Sequence, residues 1–264
     1  MATGDDEPAP PDAEGEPGPP GKPPRLRPDS SPAREVTECI RTGTAARLQR
    51  LLDEQPELGR TRIDDPRGRQ SRTLLHVVTD WPGHVPEAAA KIRALVAAGA
   101  DVDARFTGPH SETPLHWAAS SDDVAVLDAL LDAGADIEAT GAVIAGGTPM
   151  ADATAFGQWN AARRLLERGA KTNLWEASAL GLLDRVESSF AGGEMPAAEH
   201  VTGSFWGACH GGHRDVAEYL LGKGAELNWV GWDDLTPLDA AERSGADDVV
   251  AWLRSIGGRS ATSA

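Results

Sequence analysis

Residues 113–136 read TPLHWAASSDDVAVLDALLDAGAD. The same pattern returns without gaps at residues 148–171, TPMADATAFGQWNAARRLLERGAK, and at residues 203–226, GSFWGACHGGHRDVAEYLLGKGAE. A fourth copy, TPLDAAERSGADDVVAWLRSIGG, starts at Thr236. An earlier one runs from Thr73-Leu74-Leu75-His76 to Asp101, with extra residues around Trp81-Pro82-Gly83. Two weaker copies, at residues 36–52 and 174–190, keep the apolar skeleton. Repetition at this period decides the fold class before any local reading does.

Each copy reads as two short antiparallel helices. Thr-Pro opens the first: the hydroxyl caps orphan backbone amides, and proline suits the first helical position. Small residues such as Ala118 and Ala119 let neighbouring helices approach. Gly157, Gly212 and Gly245 mark the turn. The second helix carries apolar pairs one turn apart, as in Val126-Leu127 with Leu130-Leu131 and Val216-Ala217 with Leu220-Leu221, which makes one stripe. Gly99, Gly134, Gly169 and Gly224 end it at a constant offset. One hairpin cannot bury its own stripe and stacked copies can, so the expected assembly is a solenoid with Leu130 and Leu220 between helices.

Thr113-Pro114-Leu115-His116-Trp117-Ala118-Ala119 and Thr236-Pro237-Leu238-Asp239-Ala240-Ala241 resemble the signature of the ankyrin repeat family. The resemblance implies an all-α solenoid with short β-hairpin fingers. It spans residues 34–257 in about seven units, including degenerate capping and central copies. It also implies non-catalytic protein binding on the concave face formed by finger tips and first helices, with no cofactor. His76 and His116 then take a structural role, bridging the Thr hydroxyl and neighbouring backbone. One departure stands out: Leu174 follows Lys171-Thr172-Asn173 directly, without a finger and without Thr-Pro, so the groove is expected to be interrupted there.

The 264 residues carry 41 acids against 25 bases, a net charge of −16. That balance argues against nucleic acid as the main ligand and suits a partner with a basic patch. Ten of the 19 prolines lie in the first 33 residues, with seven acids against three bases and no aromatic residue. Residues 1–33 therefore read as a disordered acidic tail, partly polyproline II. Either it solubilises, or it docks through Pro19-Pro20-Gly21-Lys22-Pro23-Pro24, or it folds back on the concave face and makes the protein an autoinhibited regulatory subunit. Residues 258–264 read as a flexible end. Two cysteines, no secretory leader and no membrane-length apolar run lead to the expectation of a cytoplasmic monomer off the membrane.

No GxxxxGK[ST], GxSxG or HExxH motif is present, which speaks against common hydrolases and P-loop proteins. Cys209, His210 and His213 form the one candidate metal cluster, the basis of an alternative metal-dependent enzyme. Against it, Cys209 sits where other copies have a buried small residue, and a structural zinc wants four converging ligands. Cys39 and Cys209 lie in distant units and read as inert buried thiols.

Eight tryptophans against one Tyr and four Phe form the informative excess. Trp117, Trp175 and Trp206 fall early in first helices, where packing between repeats accounts for them. Trp252 is expected to cover the C-terminal end. Trp232 falls at the tip of the last finger, where an indole is costly to expose and typical of an interface anchor. Its neighbours Val230 and Leu235 should face the same groove. Position alone adds Arg105, Phe106 and Glu112, then Val143 and Ile144 on an apolar tip, and Phe156, Leu180, His210 and Arg243 on first helices, with His210 expected exposed.

Overall fold

Four first helices begin with the same device in the computed structural model, which describes residues 22–192 and 195–261. An N-cap side chain accepts from the third helical residue, whose own side chain reaches back to the N-cap amide. The pairs are Thr73 with His76, Thr113 with His116, Asn173 with Glu176 and Thr236 with Asp239. Such a box satisfies two orphan donors at once. It explains why residues 174–179 start a helix without Thr-Pro: Asn173 and Glu176 supply the same chemistry.

Fourteen helices pair along the described residues: α1 (Ser31–Thr42) with α2 (Ala45–Glu54), α3 (Leu74–Thr79) with α4 (Ala88–Ala97), and α5 (Pro114–Ser120) with α6 (Val124–Asp132). Next come α7 (Pro149–Ala155) with α8 (Trp159–Glu167), α9 (Leu174–Ala179) with α10 (Leu183–Ser188), α11 (Ala198–Gly211) with α12 (Arg214–Gly222), and α13 (Pro237–Arg243) with α14 (Asp247–Ser255). Each first helix packs on the next first helix, from α1 to α13. The second helices make the other layer, α2 on α4, α4 on α6 and α6 on α8, then α10 on α12 and α12 on α14. Leu115, Leu127 and Leu130 are fully buried in the early part, and Phe205, Val216 and Leu220 in the later part. Most buried apolar residues fall into two clusters, one from Ala33 to Ala170 and one from Ala177 to Leu253. The division coincides with the six-residue link from α8 to α9, where no finger intervenes.

Helix α11 begins at Ala198, ahead of the Gly203 start that the repeat alignment gives. No Thr-Pro or turn residue stops it, and Val201 and Thr202 are buried, so the helix runs on toward its N-terminus.

Three expectations need correcting. Residues 1–33 are not one unstructured tail: β1 (Arg25–Leu26) pairs in parallel with β2 (Arg62–Asp64), and α1 starts at Ser31 with Ala33 buried. Residues 1–21, with most of the proline-rich stretch, lie outside the described residues. Only the first finger is a strand hairpin among the described residues, β2 pairing antiparallel with β3 (Ser71–Thr73). The later fingers are turns, because left-handed residues interrupt them: Gly141, Ala145 and Gly146 in one, Asp233 and Asp234 in another. Finally, residues 258–261 are docked. The Gly258 amide donates to the Leu253 carbonyl (2.7 Å), the Arg259 amide to Asn228 Oδ1 (2.7 Å) and the Ala261 amide to Asp239 Oδ2 (2.9 Å). Residues 258–261 thus pack over Asp239. Among the described residues, no helix is long and apolar enough to cross a membrane.

Candidate functional site

In α3 and α5 the residue three positions after the N-cap grips the next unit. His76 Nδ1 lies 2.8 Å from the Thr73 hydroxyl and Nε2 lies 3.1 Å from the Glu112 carbonyl. His116 repeats this with Thr113 (2.9 Å) and the Gly147 carbonyl (3.3 Å). A carbonyl only accepts, so Nε2 carries the proton and Nδ1 accepts from the hydroxyl. Burial lowers the two imidazoles to about 3 and about 4, so both are neutral at physiological pH. Glu112 and Gly147 each immediately precede the next N-cap threonine. Trp206 stands at the aligned position in α11, and its Nε1 donates to the carbonyl of Leu235, the residue before Thr236 (3.0 Å). An indole makes the bridge that an imidazole makes elsewhere.

The position after that histidine also differs. In α5 it holds Trp117, packed edge-on to His76 with centroids 4.9 Å apart and tilted against Phe106 at 5.4 Å. In α11 it is Gly207. Glycine 203 lies one turn earlier on the same face. A Cβ at Gly207 would come within 3.0 Å of Trp175 Nε1, and one at Gly203 within 3.1 Å of Trp232 Cη2. The two glycines make the trough in which these indoles lie. Trp232 is T-shaped to Trp175 (5.8 Å, 79°) and to Trp206 (5.2 Å, 74°). These three rings, with Phe156 and Ile144, wall a cleft of about 700 Å³ that runs from the α7 unit to the α13 unit, across the division in the core.

Charged groups line the same cleft. Arg243 donates to Asp233 (2.6 Å) and its guanidinium sits 5.8 Å from the centre of the Trp206 ring. Glu176 is only 5% exposed; burial first, and then the charge of Glu138, push its carboxyl above the usual carboxylate range. Glu138 accepts from the Lys171 amide (2.8 Å), which ties this finger to the link before α9. Asp152 lies on α7 beside the cleft-lining Ala151. It is fully buried, and among the described residues its carboxylate has no cation beside it and only the Ile144 backbone to oppose the effect of burial. Burial, then the Glu112 charge, raise it to about 7.

Of the residues singled out in the sequence, the cleft brings together Ile144, Phe156, Trp232 and Arg243. Trp232 is 48% exposed at its rim. Val230 is exposed and Leu235 half-buried in the same finger, outside the lining. Val143 is exposed on the apolar tip next to Ile144, and Leu180 is half-buried against the first core cluster. Phe106 lines a separate shallow depression of about 440 Å³ with Pro109 and Gly141. Arg105 is committed within the protein, donating to the carbonyls of Ser111 and Thr140 and so tying its finger to the next. His210 is a correction. It is buried rather than exposed, because Trp159 and Trp206 flank its ring and Ser244 pairs with Nδ1 (3.0 Å). Trp175, Trp206 and Glu176 line the cleft without having been singled out as contacts; the signal was the glycine pair at 203 and 207. Cys39 and Cys209 are both buried free thiols, and burial raises each. Among the described residues no three His, Cys, Asp or Glu side chains converge as a metal site would need.

Two comparisons bear on this geometry. Residues 87–175 match a family model described as ankyrin repeats (3 copies). The chain is also 33% identical over 171 residues to an ankyrin repeat and KH domain-containing protein of Caenorhabditis briggsae. The match covers 61% of this chain and 6% of that protein's length.

Proposed function

Starting from a chain that belongs to the ankyrin repeat family, we propose that it is a non-catalytic scaffold that holds a protein partner in its concave cleft. Repeats of this family are generally protein-interaction modules. The finer reading treats every helix pair from α1 to α14 as a unit of the same kind, with Trp232 as the anchor and Ile144 and Phe156 as the opposite wall. The observation that carries it is the cleft of about 700 Å³ lined by indoles, one of them half in solvent. Exposed aromatic surface is costly unless a partner covers it, and buried aromatic anchors dominate interface energies. A single chain forms the cleft, so a monomer suffices. The two unpaired buried thiols suit a reducing, cytoplasmic setting. The acidic surface favours a partner with a basic patch, which would speed association.

The test is affinity capture from cells, followed by hydrogen-exchange mapping of the purified complex. Protection should concentrate in residues 138–156, 171–176 and 229–235. Protection confined to the helices of the second layer would reject the concave-face reading.

A further inference from the structure

One cation of the cleft, its own Arg243, already sits against an indole. Arg243 reaches over the Trp206 ring at 5.8 Å while pairing with Asp233 at 2.6 Å. An aromatic face attracts a guanidinium or ammonium through its quadrupole, more strongly where water is excluded. Trp175 and Trp232 cross at 79° and line the same cleft, and crossed rings leave faces free that a flat stack would cover. Beside them stand two carboxylates to which no cation is paired among the described residues: Glu176, which is buried and accepts from the Asn173 amide (2.9 Å), and Glu138, which accepts from the Lys171 amide. Asp233 is neutralised by Arg243. The lining therefore carries three acids against Lys171 and Arg243, a deficit of one positive charge, on a chain whose net charge is −16.

We infer that the corner between Trp175 and Trp232 takes one basic side chain, an arginine or a lysine, from an extended segment of a protein partner. This rests on the concave-face reading and adds the chemistry of the contact. The side chain's methylene stem lies along the indoles and its charged head meets Glu138 and Glu176. The pairing repeats what Arg243 does with Trp206 and Asp233, one ring away. A neutral side chain of the same shape leaves the Glu138–Glu176 repulsion unrelieved, and an acidic one adds to it.

The experiment titrates the isotope-labelled full chain with three pentapeptides, Gly-Ser-X-Ser-Gly, where X is arginine, citrulline or glutamate, and follows the indole N–H signals. Citrulline keeps the planar shape of arginine, replaces one donating nitrogen with a carbonyl oxygen that only accepts, and removes the charge. The expected result is movement of the Trp175 and Trp232 signals with the arginine peptide. The citrulline peptide should bind about fivefold or more weakly, in keeping with a desolvated cation–aromatic contact, and the glutamate peptide should produce no movement. Glu138→Gln, which keeps the acceptor for the Lys171 amide, should narrow the arginine–citrulline gap. Trp232→Phe should keep the gap and Trp232→Leu should abolish binding. Equal binding of arginine and citrulline peptides, or shifts confined to other indoles, overturns the inference. If a captured partner still protects the cleft while that gap is absent, the scaffold reading stands and the cation reading falls. If the gap is present but no captured partner protects the cleft, the reverse holds.

Discussion

The α5 and α11 regions are built to one plan and end in different surfaces. In α5, His116 grips the next unit through the Gly147 carbonyl and closes its own capping box on Thr113. Trp117 beside it fills the space against His76 and Phe106. In α11, Trp206 grips the Leu235 carbonyl, nothing comparable to Thr113 is present, and Gly207 leaves the space open. That space is taken by Trp175, and Trp232 lies against Gly203; both indoles belong to other units. The bridge gives a finger carbonyl a donor. Either ring supplies it. Keeping the bridge while vacating the next position turns a packed helix face into a cleft.

The largest effect should come from the stripes that hold each region together. Leu130→Ala and Leu220→Ala remove fully buried side chains from the first and second core clusters. Each should cost about 2–5 kcal/mol in denaturant unfolding. A change within error for either would show that its half of the solenoid is not held by the proposed stacking.

Next come the bridges. His116→Phe and Trp206→Phe keep an aromatic ring and leave a finger carbonyl without its donor, for a cost of about 1–3 kcal/mol each. If the two regions share only geometry and not function, both variants should bind a partner like wild type. Only Trp206→Phe is expected to disturb the cleft. Fluorescence of the α11 region and partner titration separate the two.

Titration sharpens the comparison further. His76 and His116 fall in the fold from an ordinary 6.5 to about 3 and about 4, so the unfolded chain binds more protons below 6.5. Their contribution is complete above about pH 6.5 and is lost as pH falls toward 4. The Trp206 bridge does not titrate and should hold. Asp152 runs the other way. Its folded value, raised from 3.8 to about 7, makes the fold most favourable in acid, and stability is lost as pH rises through that interval. Asp152→Asn should therefore stabilise at pH 8, by about 1–3 kcal/mol for a buried charge with no cation beside it, and change little at pH 4. Thermal melts across pH 4–8 check both signs.

The smallest stability effect belongs to Gly207→Ala. Helix propensity gains about 1 kcal/mol, and the new Cβ, 3.0 Å from Trp175 Nε1, opposes it. The net melt shift should be small while Trp175 emission changes. An unchanged spectrum would mean that the glycine does not seat the indole.

Much of this was legible in the residues. The Thr-Pro starts, the leucine pairs and the closing glycines located the helices because each obeys a local rule. The Thr113–His116 bridge follows from the family resemblance. Residues 174–179 hid their capping box because Asn173 and Glu176 replace both partners at once. His210 was misplaced because one-dimensional alignment treats α11 like its shorter counterparts, whereas Trp159, Trp206 and Ser244 close over it. The cleft was half visible. Ile144, Phe156 and Trp232 stood out as apolar residues on tips and turns, but the meeting of Trp175 with Trp232 joins residues far apart in sequence. Only the missing side chains of Gly203 and Gly207 hinted at it.

The most direct test sets two exposed tryptophans against each other. Trp81, on the α3–α4 loop outside the cleft, is 79% exposed, more than Trp232. With a captured partner in a titration calorimeter, Trp232→Ala should raise Kd about tenfold or more, at least 1.4 kcal/mol, while Trp81→Ala leaves it unchanged. An unchanged Kd for Trp232→Ala, or a loss caused by Trp81→Ala alone, would contradict the claim that the aromatic cleft is the interaction surface.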